Sequence, residues 1–250
     1  MQAITCTGIE KQYKGTKALK GVSLTVEDGE LLGLLGVNGA GKTTLIRILS
    51  TLTNPTNGEA YVYGKNVVTE ADAVREITDV SPQETSVAPN LTVRENLEFF
   101  ANVYALPKDV AKERINKIVK DFHLEEVLDK RAKTLSGGWQ RRLSLGVALI
   151  SDPKILFLDE PTLGLDAIAR RELWRVIEKL KGTMTIVLTS HYLEEIEALC
   201  DRVIIMSKGN VVTEGTVEEI KAEAGEDNFE EAFVTIIERA GGSDVLGGEE

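Results

Sequence analysis

The spacing of apolar positions changes character along this chain. Up to residue 34 it favours strands: Val22-Ser23-Leu24-Thr25-Val26 alternates with period two, and Ile4 and Cys6 flank Thr5 in the same way. The apolar run Leu31–Leu35 reads as a buried strand. It enters Gly36-Val37-Asn38-Gly39-Ala40-Gly41, followed by a helix-compatible Lys42–Ser50. From about 90 to 150 the pattern turns helical. Thr92-Val93-Arg94-Glu95 has the spacing of a capping box, and Leu97, Phe100 and Val103 form a stripe behind it. Two short buried-type strands follow, Ile155–Leu158 and Thr185–Thr189, separated by a helix around Ala169–Lys181. Such alternation predicts an α/β fold with a largely parallel sheet covered on both faces. From 216 the chain is acidic and helical, with Phe229, Phe233 and Ile237 on one face. The Gly- and acid-rich stretch Gly241–Glu250 is expected to be disordered.

Composition narrows the classes. At 250 residues, 42% hydrophobic and 28% charged, the chain has the balance of a globular protein with a proper core. No apolar run approaches the ~20 residues that cross a bilayer, so a membrane role requires a partner. The start, Met1-Gln2-Ala3-Ile4, lacks the basic and apolar regions of a secretion signal, which predicts a cytoplasmic protein. A net charge of −11 argues against nucleic acid as a partner. Cys6 and Cys200 make no disulfide framework and are expected to be buried thiols.

Chemistry enters at residues 36–43, which fit G-x-x-x-x-G-K-[ST]. Glycines let the backbone curl until several N–H groups face one anion, and the following helix adds its positive end. Lys42 supplies a mobile ammonium for β- and γ-phosphates, and the Thr43 hydroxyl suits Mg²⁺. Asn38, Gly39, Gly41 and Thr44 belong to the same cradle. A glycine-rich turn with a surface lysine would give the same letters; a strand before and a helix after favour phosphate binding. Downstream, Ile155-Leu156-Phe157-Leu158 ends in Asp159-Glu160, which puts two acids at the carboxyl edge of the sheet. Alone, such a pair is more often ordinary surface carboxylates. Behind a phosphate loop, Asp159 suits a hydrated Mg²⁺ and Glu160 suits deprotonation of an attacking water.

Between these motifs stands Leu135-Ser136-Gly137-Gly138-Trp139-Gln140-Arg141-Arg142, which resembles the signature of ABC ATPases. The resemblance runs from about residue 2 to 220 with every motif in order. It implies a P-loop NTPase core with an N-terminal antiparallel β subdomain and an inserted helical subdomain. It also implies ATP and Mg²⁺ as cofactors. On this resemblance Tyr13 looks like the aromatic that stacks on adenine. Gln83 looks like the glutamine that senses Mg²⁺ and the membrane part. Asp166 matches the loop that communicates across a dimer, and His191 the histidine on the γ-phosphate. Ser136 and Gly138 would face ATP held by a partner's phosphate loop, so a homodimer or a heterodimer with a like subunit is implied. An integral membrane permease is the other implied partner, which would hold the chain on the inner face of the cell membrane. The resemblance divides the chain into core segments at 1–89 and 151–215, a helical subdomain at 90–150 and a tail at 216–250.

Two positions depart from the pattern. Trp139 stands where glutamine is frequent and Val37 where many relatives have proline. Trp139 could simply anchor its helix to the subdomain core. Asn228-Phe229-Glu230-Glu231-Ala232-Phe233 resembles a C-terminal helix of export-type ATPases, those of daunorubicin or sodium extrusion. An importer ATPase or a soluble ATPase of iron–sulfur assembly is the alternative. The stretch between Lys42 and Ser136 is too short for the long coiled coil of a DNA-repair ATPase. One cassette is too few for a translation factor.

Overall fold

The computed structural model describes residues 1–241, so the expected disorder of the end falls, beyond Gly241, outside the described residues. The chain opens with two long strands, β1 (Gln2–Tyr13) and β2 (Thr16–Glu27), and the short β3 (Leu31–Leu35) that leads to α1 (Lys42–Leu49). Next come β4 (Asn57–Val62), β5 (Lys65–Asn66), α2 (Ala71–Arg75) and β6 (Thr78–Ser81). Three helices follow, α3 (Val93–Val103), α4 (Lys108–Asp121) and α5 (Gly137–Ala148). The α/β pattern resumes with β7 (Ile155–Asp159), α6 (Ala167–Leu180), β8 (Thr185–Thr189), α7 (Leu193–Leu199), β9 (Arg202–Ser207) and β10 (Asn210–Gly215). Helices α8 (Val217–Ala224) and α9 (Phe229–Arg239) end the described chain.

Two sheets result. The first is antiparallel, in the order β2-β1-β4-β5. The second runs β10-β9-β3-β8-β7-β6 and is parallel except for β10, which returns antiparallel along β9 at the edge. Every residue of β3, β7 and β8 is buried, as expected of strands covered on both faces. The period-two pleat sends their side chains into two cores. Leu32, Leu34, Phe157 and Val187 join α1 and the antiparallel sheet. Leu31, Leu35, Leu156, Leu158, Ile186 and Leu188 join the helices on the other side. On that side α7 comes so near that a Cβ on Gly33 would stand 2.8 Å from the Cys200 sulfur, which accounts for glycine inside a buried strand.

Local signals explain the helix starts. Thr92 accepts the Glu95 N–H while Glu95 accepts the Thr92 N–H, the reciprocal box that the spacing predicts. Thr216 and Glu219 repeat it at α8. The stripe expected behind Thr92 needs correction. Val103 is 60% exposed, Phe100 is half-buried, and the buried face of α3 is Val93, Asn96, Leu97 and Ala101. A polar residue holds the centre of that face because its amide is fully used. Asn96 Oδ1 accepts from the Ala88 N–H at 2.7 Å, and its Nδ2 donates to the carbonyls of Ala88, Leu91 and Thr92. Cys6 is buried, as expected, and burial pushes its thiol up to about 12. Cys200 is half-buried.

Asn96 therefore fastens residues 88–92 to α3. Asn96→Leu should destabilise the protein by about 1–3 kcal/mol, because buried backbone groups lose their partners. Urea unfolding followed by circular dichroism measures this, and an unchanged midpoint would contradict the role.

Candidate active site

The carboxyl ends of β3, β7 and β8 lie side by side, with Leu34 opposite Thr189 and Asp159 opposite Thr189. The phosphate loop, Asp159, Glu160 and His191 all follow from that edge, while Tyr13 reaches the site from the antiparallel sheet. After β3 the chain turns through Gly36, Gly39 and Gly41, all at positive φ. A Cβ on Gly36 would lie 2.3 Å from the Met206 carbonyl oxygen, so only glycine fits there. Lys42 opens α1 and folds back over the loop, donating to the Gly36 carbonyl at 2.5 Å. Burial pulls its ammonium below the ordinary lysine range, and the carboxylates of Glu160 and Asp159 oppose that pull.

Asp159 ends β7 and Glu160 follows it directly. The Thr189 hydroxyl donates to Asp159 Oδ1 at 2.6 Å, and the Glu160 N–H donates to the Thr189 carbonyl and hydroxyl oxygens. His191, two residues beyond Thr189, brings its Nε2 to 2.5 Å from Glu160 Oε1. Glu160 has φ 50, a left-handed conformation that non-glycine residues rarely adopt.

A cleft of ≈480 Å³ gathers Tyr13, Asn38, Gly39, Gly41, Lys42, Thr43, Thr44 and Glu160. Tyr13 stands at its mouth, 42% exposed, with the Lys11 ammonium 5.2 Å from the ring centroid. Asp159 lies just behind, and His191 faces the neighbouring cleft along Gly36-Val37-Asn38. Gln83 is exposed, beyond the end of β6, and lines neither cleft. Asp166 caps α6, its Oδ1 accepting from the N–H groups of Ile168 and Ala169.

Ser136 and Gly138 stand elsewhere. They line a groove of ≈1020 Å³ with Trp139, Arg142 and Glu172, away from the phosphate-loop cleft of the same chain. Trp139 is half-buried at the core edge, its ring 4.7 Å from the Arg142 guanidinium, and Arg142 pairs with Glu172. Ser136 is the N-cap of α5, yet its hydroxyl makes no cap hydrogen bond.

Three features escaped the sequence reading. Lys17, Lys20 and Lys208 line the cleft. The run Lys11, Lys14, Lys17, Lys20 in an acidic chain was a signal for two of them. Glu195 is fully buried and accepts from Thr162 Oγ1, Ser190 Oγ and Trp174 Nε1, and burial raises its carboxyl pKa. Arg141 is 4% exposed and reaches the carbonyls behind Glu160.

Oxygen donors of the Asp159 and Thr43 kind suit Mg²⁺, which takes one or two protein oxygens and substrate phosphates rather than an all-protein cage. Among the described residues no three His, Cys, Asp or Glu side chains gather into a metal-holding group.

The chain is similar to known proteins along most of its length. A family model described as ABC transporter matches residues 19–163. A daunorubicin resistance ATP-binding protein of Streptomyces coeruleorubidus is 44% identical over 229 residues, 91% of this chain and 72% of that protein. ABC transporter A family member 1 of Dictyostelium discoideum is 39% identical over 88% of this chain, which spans 26% of that much longer protein. Among solved structures, a dimeric ATP-binding cassette in a post-hydrolysis state with ADP and Pi superposes with a TM-score of 0.76 at 27% identity, covering 85% of this chain and 98% of that one.

Thr189 carries the link between the two acidic strand ends. Thr189→Val should destabilise the protein by about 1–3 kcal/mol by stripping Asp159 of a buried donor, while Thr189→Ser should cost far less. Thermal unfolding of the two variants provides the comparison; equal losses would show that the methyl group, not the hydroxyl, matters.

Proposed function

The chain belongs to the ATP-binding, ATP-hydrolysing subunits of the ABC transporter family, and we propose that it powers export through separate membrane permease subunits by pairing around ATP. The observation that carries this reading is the separation of Ser136 and Gly138 from the phosphate-loop cleft. One chain holds the cradle and the carboxylates, and the helix start that would cover the γ-phosphate faces outward. Two copies, or a copy and a like subunit, set head to tail would close two such sites. Export is favoured by the drug-resistance relative, and the tail sequence Asn228–Phe233 at the start of α9 resembles that of export-type ATPases. No described helix is long and apolar enough to cross a membrane, so transport calls for permease partners. Within this reading residues 1–89 and 151–215 form the core, 90–150 the helical subdomain that meets the permease, and 216–250 the tail. Gln83 would report the permease's state at the junction.

In the proposed mechanism the N–H groups of the phosphate loop and Lys42 hold the β- and γ-phosphates. Tyr13 stacks on the base, and His191 contacts the γ-phosphate while orienting the Glu160 carboxylate. Glu160 accepts the proton of the attacking water. Thr43 and Asp159 would hold Mg²⁺ beside the phosphates and so neutralise their charge, and Gln83 would reach it only once the paired site closes. Phosphoryl transfer depends mainly on such positioning and charge neutralisation.

Base stacking is worth ~1–3 kcal/mol by substitution. Tyr13→Ala should therefore weaken ATP binding by roughly 5- to 150-fold, and Tyr13→Trp should keep it. A fluorescence titration that finds the three proteins equal removes Tyr13 from the site.

A general base contributes about 10²–10⁴-fold, so Glu160→Gln should stop turnover while leaving ATP bound. The variant should accumulate as a dimer with ATP and Mg²⁺, whereas the wild type stays mostly monomeric. Light scattering after size exclusion, with a phosphate-release assay alongside, reads both effects. Wild-type hydrolysis by Glu160→Gln would eliminate this base.

A further inference from the structure

Arg141 is a buried cation without a carboxylate partner. It lies on α5 about one turn beyond Ser136–Gly138 and forms no ion pair among the described residues. Its guanidinium instead spends its donors on backbone carbonyls of two other segments. Nε donates to Pro161 at 2.5 Å. Nη1 donates to Pro82 at 2.7 Å and Gln83 at 2.9 Å. Nη2 donates to Glu160 at 2.5 Å and Asp159 at 3.4 Å. Burying a charge is costly, and an apolar residue would fill the same space without that cost. The carbonyls it reaches are those that carry the proposed base, its neighbours and the proposed permease sensor.

We propose that Arg141 is a positioning residue that ties the signature end of α5 to the backbone that aims Glu160. This rests on the reading of Glu160 as base and of Ser136 as the partner-facing end.

The peptide at Glu160 needs such a lock. Its φ of 50 is strained for a residue with a side chain, and strain of this kind persists only where the surroundings over-determine it. The Thr189 backbone and hydroxyl hold the N–H side of Glu160, and Arg141 holds the carbonyl side. Only a planar fork with several fixed donors can reach five carbonyls on two segments at once. A lysine offers a point charge and would satisfy one or two of them. With α5 docked against a partner's phosphate, the fork keeps the Glu160 backbone in a fixed relation to the signature end. A residue that merely filled space or neutralised carbonyls would affect stability and leave the rate per bound ATP alone.

The test compares Arg141→Lys and Arg141→Gln in the full-length chain, reading melting temperature, ATP affinity, KM and kcat. The expected result is an ATP affinity and KM within about twofold of wild type and a kcat lowered between about 10- and 100-fold, less in Arg141→Lys than in Arg141→Gln. An unchanged kcat in either folded variant overturns the proposal. So does a parallel loss of melting temperature and ATP binding with kcat preserved, which would mark a stability residue. Failure of both variants to fold has the same meaning. An active Glu160→Gln protein would refute the base assignment independently, whatever the Arg141 variants do.

Discussion

The register between β7 and β8 governs the site more than any single catalytic side chain does. Pairing Asp159 with Thr189 places the last residue of each strand at one level of the sheet. Each strand then leaves the sheet by a turn that exposes a functional group, Glu160 from one and His191 from the other. Their contact at 2.5 Å follows from that shared level, and a slip of one residue would turn both away. The neighbouring strand β3, in parallel register with β8, ends at the same edge and delivers the phosphate loop. Buried apolar strands of five residues leave little freedom for slippage, since every side chain already occupies one of two cores.

That edge gathers polar groups that no ladder can satisfy, side-chain donors on one side and backbone carbonyls on the other, and two buried side chains answer the need. Glu195 gathers the hydroxyls of Thr162 and Ser190 with the Trp174 indole, tying the turn after Glu160 to the turn before His191. Arg141 gathers the carbonyls on the other side. Burial lowers the pKa of Arg141 and raises that of Glu195, the direction expected for ions taken out of water. Both are dipole-solvated rather than paired with each other. The arrangement trades stability for a fixed geometry around two loops that would otherwise have few restraints.

The sequence displayed whatever depends on adjacent residues. The phosphate loop, the Asp159-Glu160 strand end, the Thr92 box and the buried β3, β7 and β8 are all readable because their physics is local. Charged residues with tertiary partners were hidden. Arg141 and Glu195 look like solvent-facing positions on amphipathic helices, and nothing near them in sequence reveals the orphaned carbonyls or hydroxyls they serve. Asn96 misled the α3 stripe for the same reason. A polar letter holds the buried face, while Val103, apolar but at the end of α3, is exposed. The short β5 and the edge strands β6 and β10 lack a clear pattern, and β4 begins with three exposed residues, whereas the buried run Val203–Met206 of β9 is as apolar as that of β3.

The outward-facing signature is where local and tertiary arguments meet. Thr92, Asp166, Thr216 and Asn228 each use their side chain to cap the helix they begin. Ser136 occupies the same position on α5 and does not, so its hydroxyl and the first N–H groups of the helix are left for another acceptor. Gly138 cannot be enlarged without pressing on Ala169, since a Cβ there would come within 3.0 Å of the Ala169 Cβ. A helix start kept bare and close against α6, with its donors unspent, has the chemistry of an anion site that one chain alone does not fill. On this view α5 carries both ends of the logic, an empty donor face toward the partner and a guanidinium fork toward its own base. Loading the first is what gives the second a reason to be rigid.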